Sequence, residues 1–265
     1  MLHELNTFLQ LLMRAPAVLV TVAQGRGSVP REAGAWMAVF RDQVLGTVGG
    51  GHLEWQAIAQ ARERLAQAVD PWEQDVALGP SLGQCCGGRV LLRFEPVNAA
   101  QVDALAEKLR PLVVPMALFG GGHVGRAIVT ALAPLPFGVR WIDSRDEIFP
   151  ADLPHNVVCE HSDPVQAAVA DLVPGSRVLI MSFSHAEDLD VVQAYLLRQR
   201  AQGDLPFVGL IGSQTKWATF RSRLRQRGFS DAELDHITCP IGLPGIVGKQ
   251  PAVIAASVAA QLLMV

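Results

Sequence analysis

Charge is scarce in this sequence: only 18% of its 265 residues are Asp, Glu, Lys or Arg. The 22 basic and 25 acidic side chains leave a net of −3, and no run of Lys or Arg stands out. An electrostatic nucleic-acid partner therefore has little support. Cysteine is equally sparse. The four present, Cys85, Cys86, Cys159 and Cys239, show no C-x-x-C spacing and do not form the framework of a secreted, disulfide-stapled domain. Long apolar runs are missing too. The stretch from Leu9 to Val22 is split by Arg14 and has no basic segment before it, and Pro251 to Val265 is too short to span about 30 Å of hydrocarbon. A reduced, cytoplasmic protein with no membrane partner is the expectation. No G-x-S-x-G nucleophile elbow occurs, and His155, His161 and His236 stand apart, without a paired metal-ligand spacing.

What the chain has in quantity is apolar side chains, half of the total, and 24 glycines. The apolar content suffices for a core, which excludes intrinsic disorder. Two grammars divide the sequence near residue 110. In 1–110, Leu2, Leu5, Phe8, Leu9, Leu12 and Met13 fall on one helical face. Short strand-like segments follow, at Ala17–Ala23, in a hairpin-like pair over Trp36–Val48, and on both sides of Gly79–Gly88. A helix opens at Gly49-Gly-Gly-His52. In Arg89–Phe94 the alternation of Val90, Leu92 and Phe94 with Arg89, Leu91 and Arg93 suits a half-exposed sheet. This part reads as a small α+β domain, with Asn98–Arg110 as a connector helix. In 111–265, strands alternate with helices, including one near Pro164–Leu172. That alternation predicts an α/β, Rossmann-like, doubly wound parallel sheet.

The second domain carries Gly120-Gly-Gly122-His-Val-Gly125, a G-x-G-x-x-G string between an apolar strand and a helix. An acid, Asp143, ends the next strand 21 residues beyond Gly122. In that context Gly120 permits the tight turn, Gly122 admits a pyrophosphate and Gly125 lets the helix pack on the strand. His123 sits at the helix N-terminus, whose free N–H groups favour an anion. Asp143 is placed to accept from a ribose hydroxyl and Arg145 to pair with a phosphate, so a nucleotide at this loop is one expectation. The alternative is that the glycines only pack the first crossover. Ligands of open α/β sheets sit at the strands' carboxyl ends, where Ser182–Asp188 and Gly212–Lys216 also belong. His185 and Asp188, three apart, are candidates for one shared face, and Ser213 and Lys216 for an anion contact. The plainer reading is capping by Ser184 and first-turn carboxylates.

The first domain holds a second glycine turn, Gly49-Gly50-Gly51-His52, in which Glu54 replaces the third glycine. Arg31, in Ser28-Val-Pro-Arg-Glu-Ala-Gly, offers the bidentate clamp that Arg gives to phosphate. The loop Gly79–Gly88 places Gln84, Cys85 and Cys86 beside paired glycines. Adjacent thiols invite oxidation in a plain turn, whereas a soft metal or a sulfur-transfer step would use them. Cys85 and Cys86 are the candidate metal ligands, against the alternative of two small buried residues at a bulge.

Several strings together resemble one family, the xanthine dehydrogenase accessory proteins (XdhC/CoxI-like). Gly27-Ser-Val-Pro-Arg31, Gly46-Thr-Val-Gly-Gly-Gly-His-Leu-Glu54 and Leu82-Gly-Gln-Cys-Cys-Gly-Gly88 are similar to its N-terminal module. Phe119-Gly-Gly-Gly-His-Val-Gly-Arg126, Gly209-Leu-Ile-Gly-Ser-Gln-Thr-Lys216 and Thr238-Cys-Pro-Ile-Gly-Leu-Pro-Gly-Ile246 are similar to its Rossmann module. The resemblance implies an accessory chaperone rather than an enzyme. It would bind the molybdenum cofactor (molybdopterin), hold it while a cysteine desulfurase installs the sulfido ligand, and insert it into apo-xanthine dehydrogenase. It implies a site at Gly50, Gly51, His52, Gln84, Cys85 and Cys86, with phosphate contacts from the Gly120 loop. A homodimer is the default assembly. The rival readings are an NAD(P)-dependent oxidoreductase, which the Gly120–Asp143 unit would serve, and a docking scaffold whose Rossmann fold is empty.

Overall fold

The computed structural model describes residues 2–65, 67, 70–79 and 87–265. They divide into two units, Met1–Arg110 and Pro111–Val265.

The first unit runs α1 (Leu2–Leu12), β1 (Ala17–Arg26), β2 (Trp36–Val39), β3 (Val44–Gly46), α2 (Gly51–Leu65), β4 (Trp72–Ala77), β5 (Arg89–Val97), a 3-10 turn (Ala99–Gln101) and α3 (Val102–Lys108). Its strands form one antiparallel sheet in the order β3-β2-β1-β5-β4. Central β1 is apolar on both sides because both faces are covered. Ala17 and Leu19 pack with Leu5, Phe8 and Leu12 of α1 and Leu105 of α3. Val18, Val20 and Val22 pack with Leu53, Ala57 and Ala61 of α2. The alternation in β5 is as expected: Val90, Leu92 and Phe94 point inward, while Arg89 and Arg93 pair with Asp75 and Glu73 of β4. Two details differ from the sequence reading. The 98–110 segment, expected as one helix, is a 3-10 turn followed by α3, which packs on α1 through Leu105. Met13, expected on the apolar face of the helix, follows the last helical residue and is 69% exposed.

The second unit runs β6 (Val114–Phe119), α4 (His123–Leu132), β7 (Phe137–Asp143), β8 (Val157–His161), a 3-10 helix (Val165–Asp171), β9 (Arg177–Ile180), α5 (His185–Gln202), β10 (Phe207–Leu210), α6 (Gln214–Gln226), α7 (Asp231–Leu234), β11 (Ile237–Thr238) and α8 (Pro251–Leu262). All six strands are parallel, in the order β11-β10-β9-β6-β7-β8. This is the strand order of a complete Rossmann sheet. Helices α4 and α8 pack on one face, and α5, α6 and the 3-10 helix on the other. The helix expected near Pro164–Leu172 is thus a 3-10 helix. Its last carbonyls, on Val169, Ala170 and Leu172, accept from buried Arg198, which also pairs with Asp204.

Candidate functional site

The antiparallel order of the first unit brings three loops to one end of its sheet. These are the segment from β1 to β2, the turn from β3 to α2, and the connection from β4 to β5. At Gly49 the backbone has φ +131°, and a β-carbon there would lie 2.5 Å from Pro30 Cγ and 3.6 Å from Arg31 Cγ. Only glycine allows that approach. Gly88 lies in turn against the carbonyls of Arg26 and Ser28, and Leu78 N–H donates to Gly88 O at 2.8 Å. The Ser28–Arg31 loop is therefore flanked by the Gly49 turn and by Gly88, the far end of the Gly79–Gly88 connection. Gln84, Cys85 and Cys86 lie outside the described residues. Arg31 is exposed and makes no ion pair among the described residues.

The turn itself is already satisfied. One oxygen of Glu54 accepts from Thr47 Oγ1, from Val48 N–H at 3.0 Å and from Gly50 N–H at 3.1 Å. The N–H groups expected to hold a ligand's anion instead hold the chain's own carboxylate. His52 is exposed, stacked on Trp55 with ring centroids 5.6 Å apart, and its Nε2 lies 2.9 Å from Gln56 Nε2. Trp55 was not foreseen. The available signal was its place three residues after His52, on the same helical face.

At the carboxyl edge of the second sheet, Gly120 (φ +122°) sits against the Met181 backbone, and Gly125 against the Gly120 carbonyl. These close packings are the ones the G-x-G-x-x-G reading requires. Gly122 caps α4 without a side-chain bond, leaving His123 at the first helical position. Asp143 differs from the expectation. It is 1% exposed, and its Oδ2 accepts from Gly121 N–H at 2.6 Å and from Arg145 Nη2 at 2.8 Å. Its Oδ1 accepts from Arg145 N–H and Nε at 2.9 and 2.8 Å. No oxygen is left to face a ribose. Burial raises the Asp143 carboxyl, yet the bonds from Arg145 and Gly121 outweigh it and hold it below the ordinary carboxylate value.

His185 and Asp188 do not share a face: His185 is exposed and Asp188 is buried. Ser184 caps α5, as the plainer reading had it, by accepting from Glu187 N–H at 3.2 Å. Asp188 accepts from Ser182 N–H at 2.7 Å and from Lys216 Nζ at 2.6 Å. Lys216 also donates to Ile211 O at 2.8 Å, and Ser213 caps α6 by accepting from Lys216 N–H. Lys216 does meet an anion, but one supplied by the chain. Cys239 follows β11 near this pair. Burial pushes its thiol up to about 11, which the Lys216 charge only partly opposes, so the protonated form is favoured at neutral pH. Among the described residues, no group of three His, Cys, Asp or Glu side chains stands ready for a metal ion, and no helix is long and apolar enough to cross a membrane.

Comparison with known proteins places the chain. The pattern of the XdhC Rossmann domain matches residues 116–262, and that of the XdhC and CoxI family matches 12–70. YqeB of Escherichia coli (strain K12) is 27% identical over 256 residues, covering 94% of this chain and 43% of the relative. The chain thus spans about two fifths of the length of that curated relative. A crystal structure described as a xanthine dehydrogenase from Bacillus halodurans superposes with a TM-score of 0.79, covering 98% of this chain and 95% of that one. At 20% identity this likeness shows the shared fold. With one pattern covering more than half of its length and the second falling in the other unit, the chain belongs to the XdhC and CoxI family.

Proposed function

We propose that this protein is an accessory protein of xanthine dehydrogenase. It binds the molybdenum cofactor, holds it while a cysteine desulfurase installs its sulfido ligand, and hands it to the apo-dehydrogenase. Family membership supports the accessory role. The observation that carries the binding site is the meeting of the Ser28–Arg31 loop with the Gly49 turn and Gly88. The Ser28–Arg31 loop, the Gly49 turn and Gly88, each part of a string similar to one family's N-terminal module, meet at one end of one sheet.

The residues present suit such a cargo, a phosphorylated pterin dithiolene carrying molybdenum. Arg31, exposed beside the Gly49 turn, supplies the planar, bidentate cation that phosphate recognition uses. His52, exposed at the start of α2, adds an imidazole nitrogen on the same turn. Cys85 and Cys86, which lie between Gly79 and Gly87 in the sequence, would supply soft sulfur ligands of the kind that suit a sulfur-bound metal. Gly50 and Gly51 keep the turn narrow, while Glu54 occupies its N–H groups. The cargo's anionic end therefore falls to Arg31 rather than to the turn. Asp143 is engaged by Gly121 and Arg145, and Asp188 by Ser182 and Lys216, so this reading gives them no part in holding the cargo.

The test is anaerobic gel filtration after incubation with free molybdenum cofactor, with molybdenum and oxidised-pterin fluorescence read in the protein peak. Near-stoichiometric retention is expected, falling at least tenfold in Arg31→Ala and in the Cys85→Ser/Cys86→Ser double variant. No retained molybdenum in the unmodified protein would overturn the carrier reading. Full retention and full dehydrogenase activation by both variants would overturn the assigned site.

A further inference from the structure

In the second unit, β6 lies between β7 and β9, and the carboxyl end of β6 is the switch point where a Rossmann sheet ordinarily receives a dinucleotide. Two bridges cross it here. Ser144, just after β7, donates from Oγ to Glu187 at 2.8 Å, on the first turn of the helix that follows β9. Arg145, the next residue, lays its guanidinium 4.4 Å from the ring centroid of Phe183, in the loop after β9. Glu187 is held for this by accepting from Phe183 N–H at 3.1 Å with its other oxygen. Arg145 is held from its own side by the two-point pair with Asp143.

The floor beneath the bridges is also engaged. Gly121 N–H, the backbone donor at the centre of the glycine loop, is taken by Asp143. A β-carbon at Gly121 would lie 2.7 Å from Ile148 Cγ1, so the segment after β7 rests directly on the loop. A dinucleotide needs three things at this place: loop N–H groups for the pyrophosphate, a free acid for the ribose, and an open crevice for the nucleoside. In this chain the acid has no free oxygen, the central N–H is bonded to that same acid, and the crevice is bridged twice.

We propose that the switch-point crevice of this Rossmann unit excludes adenine dinucleotides, and that Ser144, Arg145, Phe183 and Glu187 are the residues that set the exclusion. The geometry G-x-G-x-x-G followed by an acid is retained, but the acid and the arginine after it are turned inward as a strap. The bridges are a partly exposed hydrogen bond and a cation–π contact on a ring that is 64% exposed. Contacts of that kind are weak enough for substitution to open them without unfolding the sheet. The inference stands apart from the cargo proposed above. It bears on it in one respect: the second unit has no place for a nucleoside attached to the pterin.

The experiment is titration of the full chain with NAD+, NADH and NADP+, followed by calorimetry and by thermal shift, with no molybdenum or pterin present. The unmodified protein is expected to show no saturable binding at millimolar ligand. A Ser144→Ala/Phe183→Ala variant with unchanged circular dichroism is expected to bind at least tenfold more tightly than the parent. Saturable micromolar binding by the parent would overturn the proposal. So would an opened, folded variant that binds no better than its parent. Should the double variant lose its fold, Phe183→Ala alone, whose exposed ring fills no core position, removes one of the two bridges and is expected to tighten binding in the same direction by a smaller factor; no tightening would overturn the proposal. Because the readout is nucleotide binding, failure here leaves the molybdenum-retention result separately readable.

Discussion

Lys216 was a candidate anion contact and is found instead in a buried ion pair, so replacing its partner tests which role is correct. Lys216 and Asp188 lie 2.6 Å apart with side chains 10% and 3% exposed. Asp188→Ala would leave the ammonium with the Ile211 carbonyl and the Phe220 ring but no counter-charge, and would take away the acceptor of the Ser182 N–H. Removing one partner of a buried pair costs about 3–5 kcal/mol, because the remaining charge is uncompensated. In a unit of this size, each kcal/mol lowers Tm by about 2–4 °C, so a loss of about 6–20 °C is expected. Lys216→Met should cost a similar amount, since it strands the carboxylate. The Asp188→Leu/Lys216→Met double variant should cost clearly less than the two single losses added, with a coupling of about 2 kcal/mol or more. Urea unfolding supplies the free energies. Hydrogen exchange of β9 and β10 assigns the change to the second unit. If Asp188→Ala cost under about 1 kcal/mol, the pair would be effectively solvated. Lys216 would then be free for a ligand, and the structural assignment would be wrong.

Two further outcomes follow from the geometry. Gly49→Ala should destabilise the first unit by about 1–3 kcal/mol through its positive φ alone. It should also displace the Pro30–Arg31 loop and reduce cofactor retention, because the added carbon meets Pro30 at 2.5 Å. Gly50→Ala, with φ +73° but open space around it, should share the strain and keep the retention; equal retention in the two variants would refute the contact. The depressed carboxyl of Asp143 makes stability pH-dependent. Its contribution is complete above the unfolded value of about 3.9 and is lost as pH falls through the lower folded value. Asp143→Asn should therefore be less stable at neutral pH and lose less Tm below about pH 4 than the parent. Parallel acid limbs would contradict this.

Much of the fold was legible because its signals are local. The run Val114–Phe119, the glycine loop and the acid at 143 define a βαβ unit without reference to anything distant. The alternation in β5 likewise declared which side faced Phe94's core. What was not legible was either too short or too remote. Strand β11 is two residues, Ile237–Thr238, below the length at which any period is readable. The 3-10 helix at Val165–Asp171 differs from an α-helix in details that apolar spacing does not report. At the candidate site, the neighbours of Arg31 could be listed but not their meeting, which depends on the β1–β5 register that brings Gly25 opposite Val90. Asp143 marks the harder case. Its position in the chain was read correctly, but the direction of its carboxylate is decided by Arg145 two residues on and by Gly121 on another loop.

The two glycine turns share a solution that qualifies how such motifs are read. Each exposes N–H groups with partial positive charge, and in each an acid of the chain accepts from one of them: Glu54 from Gly50 and Asp143 from Gly121. The first acid is four residues away and so belongs to the turn. The second comes from the neighbouring strand and ties two loops of the sheet edge together. The electrostatic preference inferred from the motif is thus correct in both places. What does not follow from it is that the anion is a ligand. An acid placed where a carboxylate can curl back competes with external phosphate as an intramolecular ligand, at a high effective concentration set by the short connecting chain. In the first unit, where the Glu54 carboxylate takes the N–H groups of Val48 and Gly50, the proposed cargo would find its anion contact at a side chain rather than at the turn. In the first unit, the exposed guanidinium beside the Gly49 turn is Arg31, which makes it the residue whose substitution carries the most information about function.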